Sequence, residues 1–178
     1  MAETSDTKST VIKNAEVWWL HMDPESPDEY QDDIFWSITI RTRDKLVKKE
    51  WEAQLLNVAM KEDDDGVFYQ CTFRRNTVNA KGKSAVCPPV VNGKLRNIDS
   101  NTVGNGSIAN INLFQRPNRQ TPGKWVSTLM GVQVVVHKVY IPSENSGPMF
   151  TECQTETIQP APDEDVQDFA ADVNAGDY

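Results

Sequence analysis

Histidine and cysteine are scarce in this sequence of 178 residues, and their positions argue against several kinds of site. The two histidines, His21 and His137, have no cysteine or second histidine at ligand spacing, so no zinc site is expected. The three cysteines form no C-x-x-C pair, and reduced thiols are expected. No metal or cofactor is predicted.

Long apolar runs are also missing. The first ten residues, MAETSDTKST, lack the apolar core of a signal peptide, and no run in the sequence is long enough to span a bilayer. These two absences predict a cytosolic protein that does not enter a membrane.

Basic residues are absent from residues 139–178, which contain nine acidic ones. Residues 74–138 show the opposite bias, with ten basic residues and one acidic residue, Asp99. The net charge of −8 for the whole chain hides this segregation. A basic stretch beside an acidic one suggests binding to nucleic acid or another polyanion, unless folding mixes the two blocks in space.

Alternating apolar residues predict a mainly β protein. Strands are expected at 11–20, 34–42, 67–75, 90–98, 106–115 and 124–141, with a bulge or bend at Gly131. One helix is expected to begin after the N-cap residue Asp44 and to run to Val58 or Ala59. Five or six strands with one helix fit a small closed barrel of the OB-fold type.

The same features predict three regions along the chain. Residues 1–10 are expected to be a flexible N-terminus, residues 11–142 an OB-fold DNA-binding domain, and residues 143–178 a disordered acidic tail.

Two glycine-containing motifs suggest nucleotide binding but do not fit it. Gly82-Lys83-Ser84 matches the end of a phosphate loop, yet Thr77 stands where that motif needs glycine, and prolines follow where a helix should begin. The VGNGS stretch at 103–107 precedes a strand, which is typical of a turn or bulge. With no catalytic constellation in view, a protein without enzymatic activity is predicted.

Basic residues alternate with aromatic ones in the middle of the chain. Single-stranded nucleic acid is bound by this combination, because cations neutralise the phosphates while aromatic rings stack on unpaired bases. The predicted DNA-binding residues are Phe73, Arg74, Arg75, Lys81, Lys83, Lys94, Arg96, Phe114, Arg116, Arg119, Lys124 and Trp125.

The remaining aromatic residues receive different predictions. Trp36, Trp51 and Phe35 are expected in the core. Alternation is expected to bury one of Trp18 and Trp19 and to expose the other, without indicating which.

Two motifs carry a family resemblance. The chain resembles the OB-fold single-stranded-DNA-binding proteins of tailed bacteriophages, in which a Gly-Ser turn opens a strand and a later G-V-Q-V strand closes the barrel. Gly106-Ser107 and Gly131-Val132-Gln133-Val134 match these features, and the acidic C-terminal region ends in an aromatic residue, as in the family. The resemblance implies protection of single-stranded DNA during phage replication and recombination, in the cytoplasm of the infected bacterium.

The resemblance also implies a role for the acidic tail. In this reading it occupies the protein's own basic groove as a weak DNA mimic, and when DNA displaces it, it contacts replication proteins such as polymerase and helicase or primase. The residues assigned to this role are Asp163, Glu164, Asp165, Asp168, Phe169, Asp172, Asp177 and Tyr178, with Tyr178 as an apolar anchor. A solvated tail that serves only solubility is the alternative.

Two other functions remain open at this stage. A virion structural or assembly protein would use the basic stretch as a surface between subunits and the acidic tail for solubility. A small nuclease or nucleotide hydrolase fits less well, because no phosphate loop or metal-ligand cluster is found. Self-association of the chain is left open.

Overall fold

The computed structural model describes residues 6–140. The eight tail residues assigned to partner binding therefore lie outside the described residues. The elements in chain order are β1 (Lys8–His21), β2 (Asp28–Tyr30), β3 (Asp33–Thr42), α1 (Lys45–Ala53), β4 (Ala59–Asp63), β5 (Gly66–Asn76), β6 (Val90–Asn92), a 3₁₀ turn (Ser100–Thr102), β7 (Ile108–Pro117) and β8 (Trp125–Val136).

Five strands close into a barrel in the order β1, β3, β5, β8, β7 and back to β1. Four of the five strand pairs in the barrel are antiparallel, while β5 and β8 are parallel, with Arg74 paired to Thr128. This mainly β, closed five-stranded barrel with one helix is the OB-like architecture that the sequence predicts.

The barrel core follows from alternation along the strands. Trp36, Ile38 and Ile40 of β3 point inward, and their partners on β5 include Phe73 and Cys71. Trp51 reaches the same core from α1. The predicted burial of Trp36 and Trp51 is confirmed, and burial of this apolar surface supplies the main driving force for folding.

The helix begins as predicted and ends early. The side chain of Asp44 accepts a hydrogen bond from Leu46 N–H and caps the first turn. The helix stops at Ala53, and Leu55 adopts a positive φ of 64°. The predicted last turn of the helix is therefore wrong. Strand β4, which the sequence did not predict, starts at Ala59 and pairs with β5.

Other strand boundaries also differ from the predictions. β1 starts at Lys8 rather than residue 11, and the short β2, which the sequence did not predict, pairs with β3. The strand predicted over 90–98 is strand only over Val90–Asn92. The predicted bulge is confirmed, because the β7–β8 register shifts between the Asn112–Gly131 and Leu113–Leu129 pairs.

Candidate nucleic-acid interface

The outer surface of β3 and β5 is formed by the residues that alternate with the core positions. Ser37 lies opposite Arg74, Thr39 opposite Thr72, and Arg41 opposite Gln70. Strand β1 continues this surface on the other side of β3, where Trp18 is paired with Thr39. We call this surface, from β1 through β3 to β5, the outer face. It corresponds to the strand 2 and 3 face with which OB folds bind oligonucleotides.

Arg41 is the centre of an aromatic cluster on the outer face. Its guanidinium carbon lies 4.7 Å from the ring centroid of Trp18, 4.4 Å from that of Trp19 and 4.3 Å from that of Phe68. We call these four residues the Arg41 cluster. Each distance is within the range in which a cation is attracted to the face of an aromatic ring.

A bulge in β1 places both tryptophans on the outer face. The β1–β3 register shifts between Trp18 and Leu20, and Trp19 has a positive φ of 52°. Its backbone N–H donates to Oδ1 of Asn105 at 2.9 Å. The expectation that one tryptophan would be buried is therefore wrong: Trp18 is half-buried, and Trp19 is 46% exposed.

The two tryptophans also contact each other. Their ring centroids are 6.2 Å apart at an interplanar angle of 71°, an edge-to-face arrangement. Together with Arg41 they form a partly exposed π surface, the kind of surface on which unpaired bases stack.

Some charged residues near the Arg41 cluster are paired, while Arg41 itself forms no ion pair among the described residues. Arg43 donates two hydrogen bonds to Asp63, at 2.9 and 2.7 Å, and this contact lowers the pKa of the Asp63 carboxyl. Glu16 accepts a hydrogen bond from the Trp18 indole at 2.8 Å. Within residues 6–140, no carboxylate forms an ion pair with Arg41. Its positive charge is thus available to an anionic ligand.

Arg74 extends the positive charge along the outer face. Its guanidinium lies 4.2 Å from the ring of Phe35, which it covers, so that Phe35 is buried on the outer side of the barrel rather than in the core cluster. Arg74 is paired with Thr128 on β8, and Thr128 is paired with Phe114 on β7. Phe114, 36% exposed, therefore lies on the same continuous surface, two strands away.

The loop between β7 and β8 and the strand ends beside it carry the next group of predicted residues. Arg119 and Lys124 are exposed in the loop, Arg116 is exposed near the end of β7, and Trp125, the first residue of β8, is half-buried. The amine of Lys8 lies 5.4 Å from the Trp125 ring centroid. A pocket lined in part by Thr72, Arg74, Asn118 and Trp125 connects this loop to the outer face.

Four of the predicted cations lie in two other loops. Asn79 accepts hydrogen bonds from the backbone of Lys81 and Lys83, and Asn92 does the same for Lys94 and Arg96. All four cationic side chains are exposed. None of them lies over an aromatic ring in the part of the chain that the structure describes.

Two predicted residues point away from the outer face. Phe73 is 3% exposed and packs in the barrel core, so its ring is not accessible for stacking, and its assignment to the interface is corrected. Arg75 lies on the inward-facing register of β5 and donates to the sulfur of Met130 at 3.0 Å. The alternation of β5 explains both positions, because neighbouring residues of a strand point to opposite faces.

Reactive groups are few in this part of the chain. Burial raises the pKa of the Cys71 thiol to about 12, and burial together with Asp23 raises that of Cys87 to about 11, so both are protonated at neutral pH. Residues 6–140 contain no group of three His, Cys, Asp or Glu side chains arranged to hold a metal. No helix among them is long and apolar enough to cross a membrane.

Comparisons with known proteins give structural similarities only. No protein-family model matches the sequence, and no curated protein matches it. The chain is similar to the C-terminally truncated single-stranded DNA-binding protein of bacteriophage Enc34, with a TM-score of 0.49 and 14% identity over 78% of this chain and 94% of the other.

Two further solved structures resemble the chain. One is the Enc34 protein in complex with single-stranded DNA, with a TM-score of 0.47 and 16% identity over 73% of this chain and 87% of that one. The other is gp2.5 of bacteriophage T7, a single-stranded DNA-binding protein, with a TM-score of 0.47 and 13% identity over 88% of this chain and 100% of that one. All three structures are of phage single-stranded DNA-binding proteins.

Proposed function

We propose that this protein binds single-stranded DNA without sequence preference and without catalysis. The observation that carries the proposal is the Arg41 cluster: one guanidinium within 4.7 Å of three ring centroids, on the outer face of a closed five-stranded barrel. Aromatic rings accept any base, so this surface favours unpaired strands over a particular sequence.

The proposed path of the strand follows the exposed cations. Bases stack on Trp18 and Trp19 of the Arg41 cluster. Phosphates contact Arg74, Arg116 near the end of β7, and Arg119 and Lys124 in the β7–β8 loop. Phe114 and Trp125 supply further rings along this path. Lys81, Lys83, Lys94 and Arg96 act at longer range, by raising the positive potential that attracts the strand.

We also propose a biological role in phage DNA replication and recombination. The acidic tail predicted at 143–178, which has no basic residue, competes with DNA for the cationic surface and, once displaced, contacts replication proteins. The segregation of charge along the sequence supports this role, since a polyanionic segment is attracted to the same cations as a phosphate backbone.

Titration of the five tryptophans with oligo-dT, with and without magnesium, tests the proposed function. Trp18 and Trp19 are in the proposed contact surface, so bound DNA should quench their fluorescence without magnesium and should remain intact. An absent response would favour a virion structural protein instead, and cleavage of the oligonucleotide would favour a nuclease.

Salt dependence gives an independent test of the charge component. Each phosphate contact releases counterions and contributes about −0.7 to the slope of log affinity against log salt on single strands. Contacts from Arg74, Arg116, Arg119 and Lys124 should give a clearly negative slope. A slope near zero would contradict the proposed cationic path.

A further inference from the structure

A second pocket lies beside the Arg41 cluster and has no role in the path described so far. Its volume is about 680 Å³. The end of β1 and the 3₁₀ turn line parts of it, and residues Lys138–Tyr140, which follow β8, line another part. Trp19 belongs both to this pocket and to the Arg41 cluster, so the two sites are continuous.

The turn at residues 102–107 shapes this pocket by hydrogen bonding to the end of β1 on one side and to residues 138–140 on the other. Asn105 accepts from the backbone of Trp19, as described above, while Tyr140 N–H donates to Thr102 O at 2.7 Å. Gly104 N–H donates to Lys138 O, also at 2.7 Å. A side chain at Gly104 would place its Cβ 2.8 Å from this oxygen, so only glycine allows the segment to approach so closely.

The lining of the pocket has the chemistry of a nucleotide site. Trp19 is 46% exposed and Tyr140 is 57% exposed, and each offers a ring for stacking. Lys138 supplies a positive charge, and His21 and Asn101 supply polar groups. No carboxylate is among the described residues that line the pocket. Two nearby carboxylates are already paired with lining residues: Asp28 lies 3.5 Å from His21, and Asp23 accepts a hydrogen bond from Asn101 at 2.9 Å. The exposed rings and Lys138 are complementary to a base with its phosphate.

We propose that this pocket is an additional nucleotide subsite, which extends the bound strand from Trp19 toward Tyr140. The inference rests on the proposed binding of single-stranded DNA and adds the direction in which the strand leaves the outer face. Tyr140 stacks on a base, and Lys138 contacts the phosphate next to it. Neither residue was among those predicted from the sequence.

Affinities for a length series of oligo-dT, from about 4 to about 16 nucleotides, test this subsite. Tyr140→Ala should weaken binding of the longer oligonucleotides by about tenfold, the loss expected for one stacked base, and should leave the shortest ones unaffected. Tyr140→Phe keeps the ring and should bind like the unmodified chain. Lys138→Gln should reduce the salt slope for the longer oligonucleotides alone.

Tyr30→Ala is the matched control. Tyr30 is 61% exposed, but it lies beside Glu29, Asp32 and Asp33, where a phosphate backbone would be repelled. This variant should bind every length normally. Equal affinities of Tyr140→Ala and the unmodified chain at all lengths would overturn the subsite while leaving the proposed function intact. Failure of the unmodified chain to bind any length would overturn both.

Discussion

The backbone N–H of Trp19 donates to the side-chain oxygen of Asn105 at 2.9 Å, and this bond joins two residues that are 86 positions apart in the sequence. Trp19 has a positive φ, which is unfavourable for a bulky residue. The bond stabilises the bulge that brings Trp18 and Trp19 to the same side of β1. The glycine-rich turn containing Asn105 thus positions the aromatic surface rather than binding a nucleotide through its own glycines.

Asn105→Ala should loosen this aromatic surface. Loss of the bond should lower the free energy of unfolding by about 1 kcal/mol and should weaken the near-ultraviolet circular dichroism of the Trp18–Trp19 pair. Affinity for oligo-dT should fall as well. Asn79→Ala is the control. The side chain of Asn79 also accepts hydrogen bonds from backbone N–H groups in an exposed turn, but these belong to Lys81 and Lys83 and not to a tryptophan. An unchanged tryptophan spectrum in Asn105→Ala would mean that the bulge does not depend on this bond.

Arg41→Lys should weaken DNA binding although it keeps the charge. Lysine lacks the planar guanidinium that lies over three rings, and its charge is a compact point. We expect a loss of affinity for oligo-dT of about tenfold, or ~1.4 kcal/mol, by fluorescence titration. Arg119→Lys, in an exposed loop, should change the affinity less than twofold, since a phosphate contact tolerates either cation. Equal effects of the two substitutions would argue that only charge matters at Arg41.

Phe73→Ala and Phe114→Ala should differ in their effect on stability, because Phe73 is a core residue and Phe114 a surface residue. Phe73 is buried in the barrel, so its truncation should cost about 3–5 kcal/mol of stability in urea unfolding. Phe114 is partly exposed on the outside of β7, and its truncation should change stability by only about 0.5 kcal/mol. If Phe114 contacts DNA, its variant should also lose affinity while remaining folded. A folded Phe114→Ala chain with normal affinity would remove this residue from the proposed path.

These aromatic positions show what the sequence could and could not predict. Alternation and the N-cap residue Asp44 indicated the closed barrel, its single helix and the core positions Trp36 and Trp51. The predicted helix end is wrong and β4 was not predicted, because the helical spacing of apolar residues continues past the point where Leu55 turns the chain. The spacing of apolar residues along the sequence does not show where the tertiary fold ends a helix.

The centre of the candidate site was missed for a related reason. Arg41 lies in the acidic first part of the sequence, whereas all the predicted DNA-binding cations come from the basic stretch that follows. Phe68 and Trp19 join it only because β5 pairs with β3 and because β1 bulges next to it. Such a cluster depends on strand register, which is set by long-range pairing. The burial of Phe73 could have been predicted from the sequence. Strict alternation along the strand puts Phe73 and its neighbour Arg74 on different faces of the sheet.

Removal of residues 160–178 should raise the affinity for oligo-dT at low salt. The deletion takes away six acidic side chains and no basic ones, so an internal competitor for the cationic surface is lost. The gain should shrink as salt rises, because the Debye length falls to roughly 10 Å at 0.1 M. Binding of replication proteins should be lost, and Tyr178→Ala alone should weaken it. Unchanged DNA affinity at low salt and intact partner binding would mean that this segment serves only solubility.

Photo-cross-linking tests the location of the interface most directly. Oligo-dT carrying a few 5-iodouracil bases would be bound to the full chain, irradiated, and mapped on the protein by mass spectrometry. The proposed interface predicts cross-links in the peptides that contain Trp18 and Trp19 of β1, the accessible rings of the Arg41 cluster, and Arg41→Lys should reduce them. Cross-links confined to the loops around Lys81–Lys83 and Lys94–Arg96, with none on the Arg41 cluster, would contradict it.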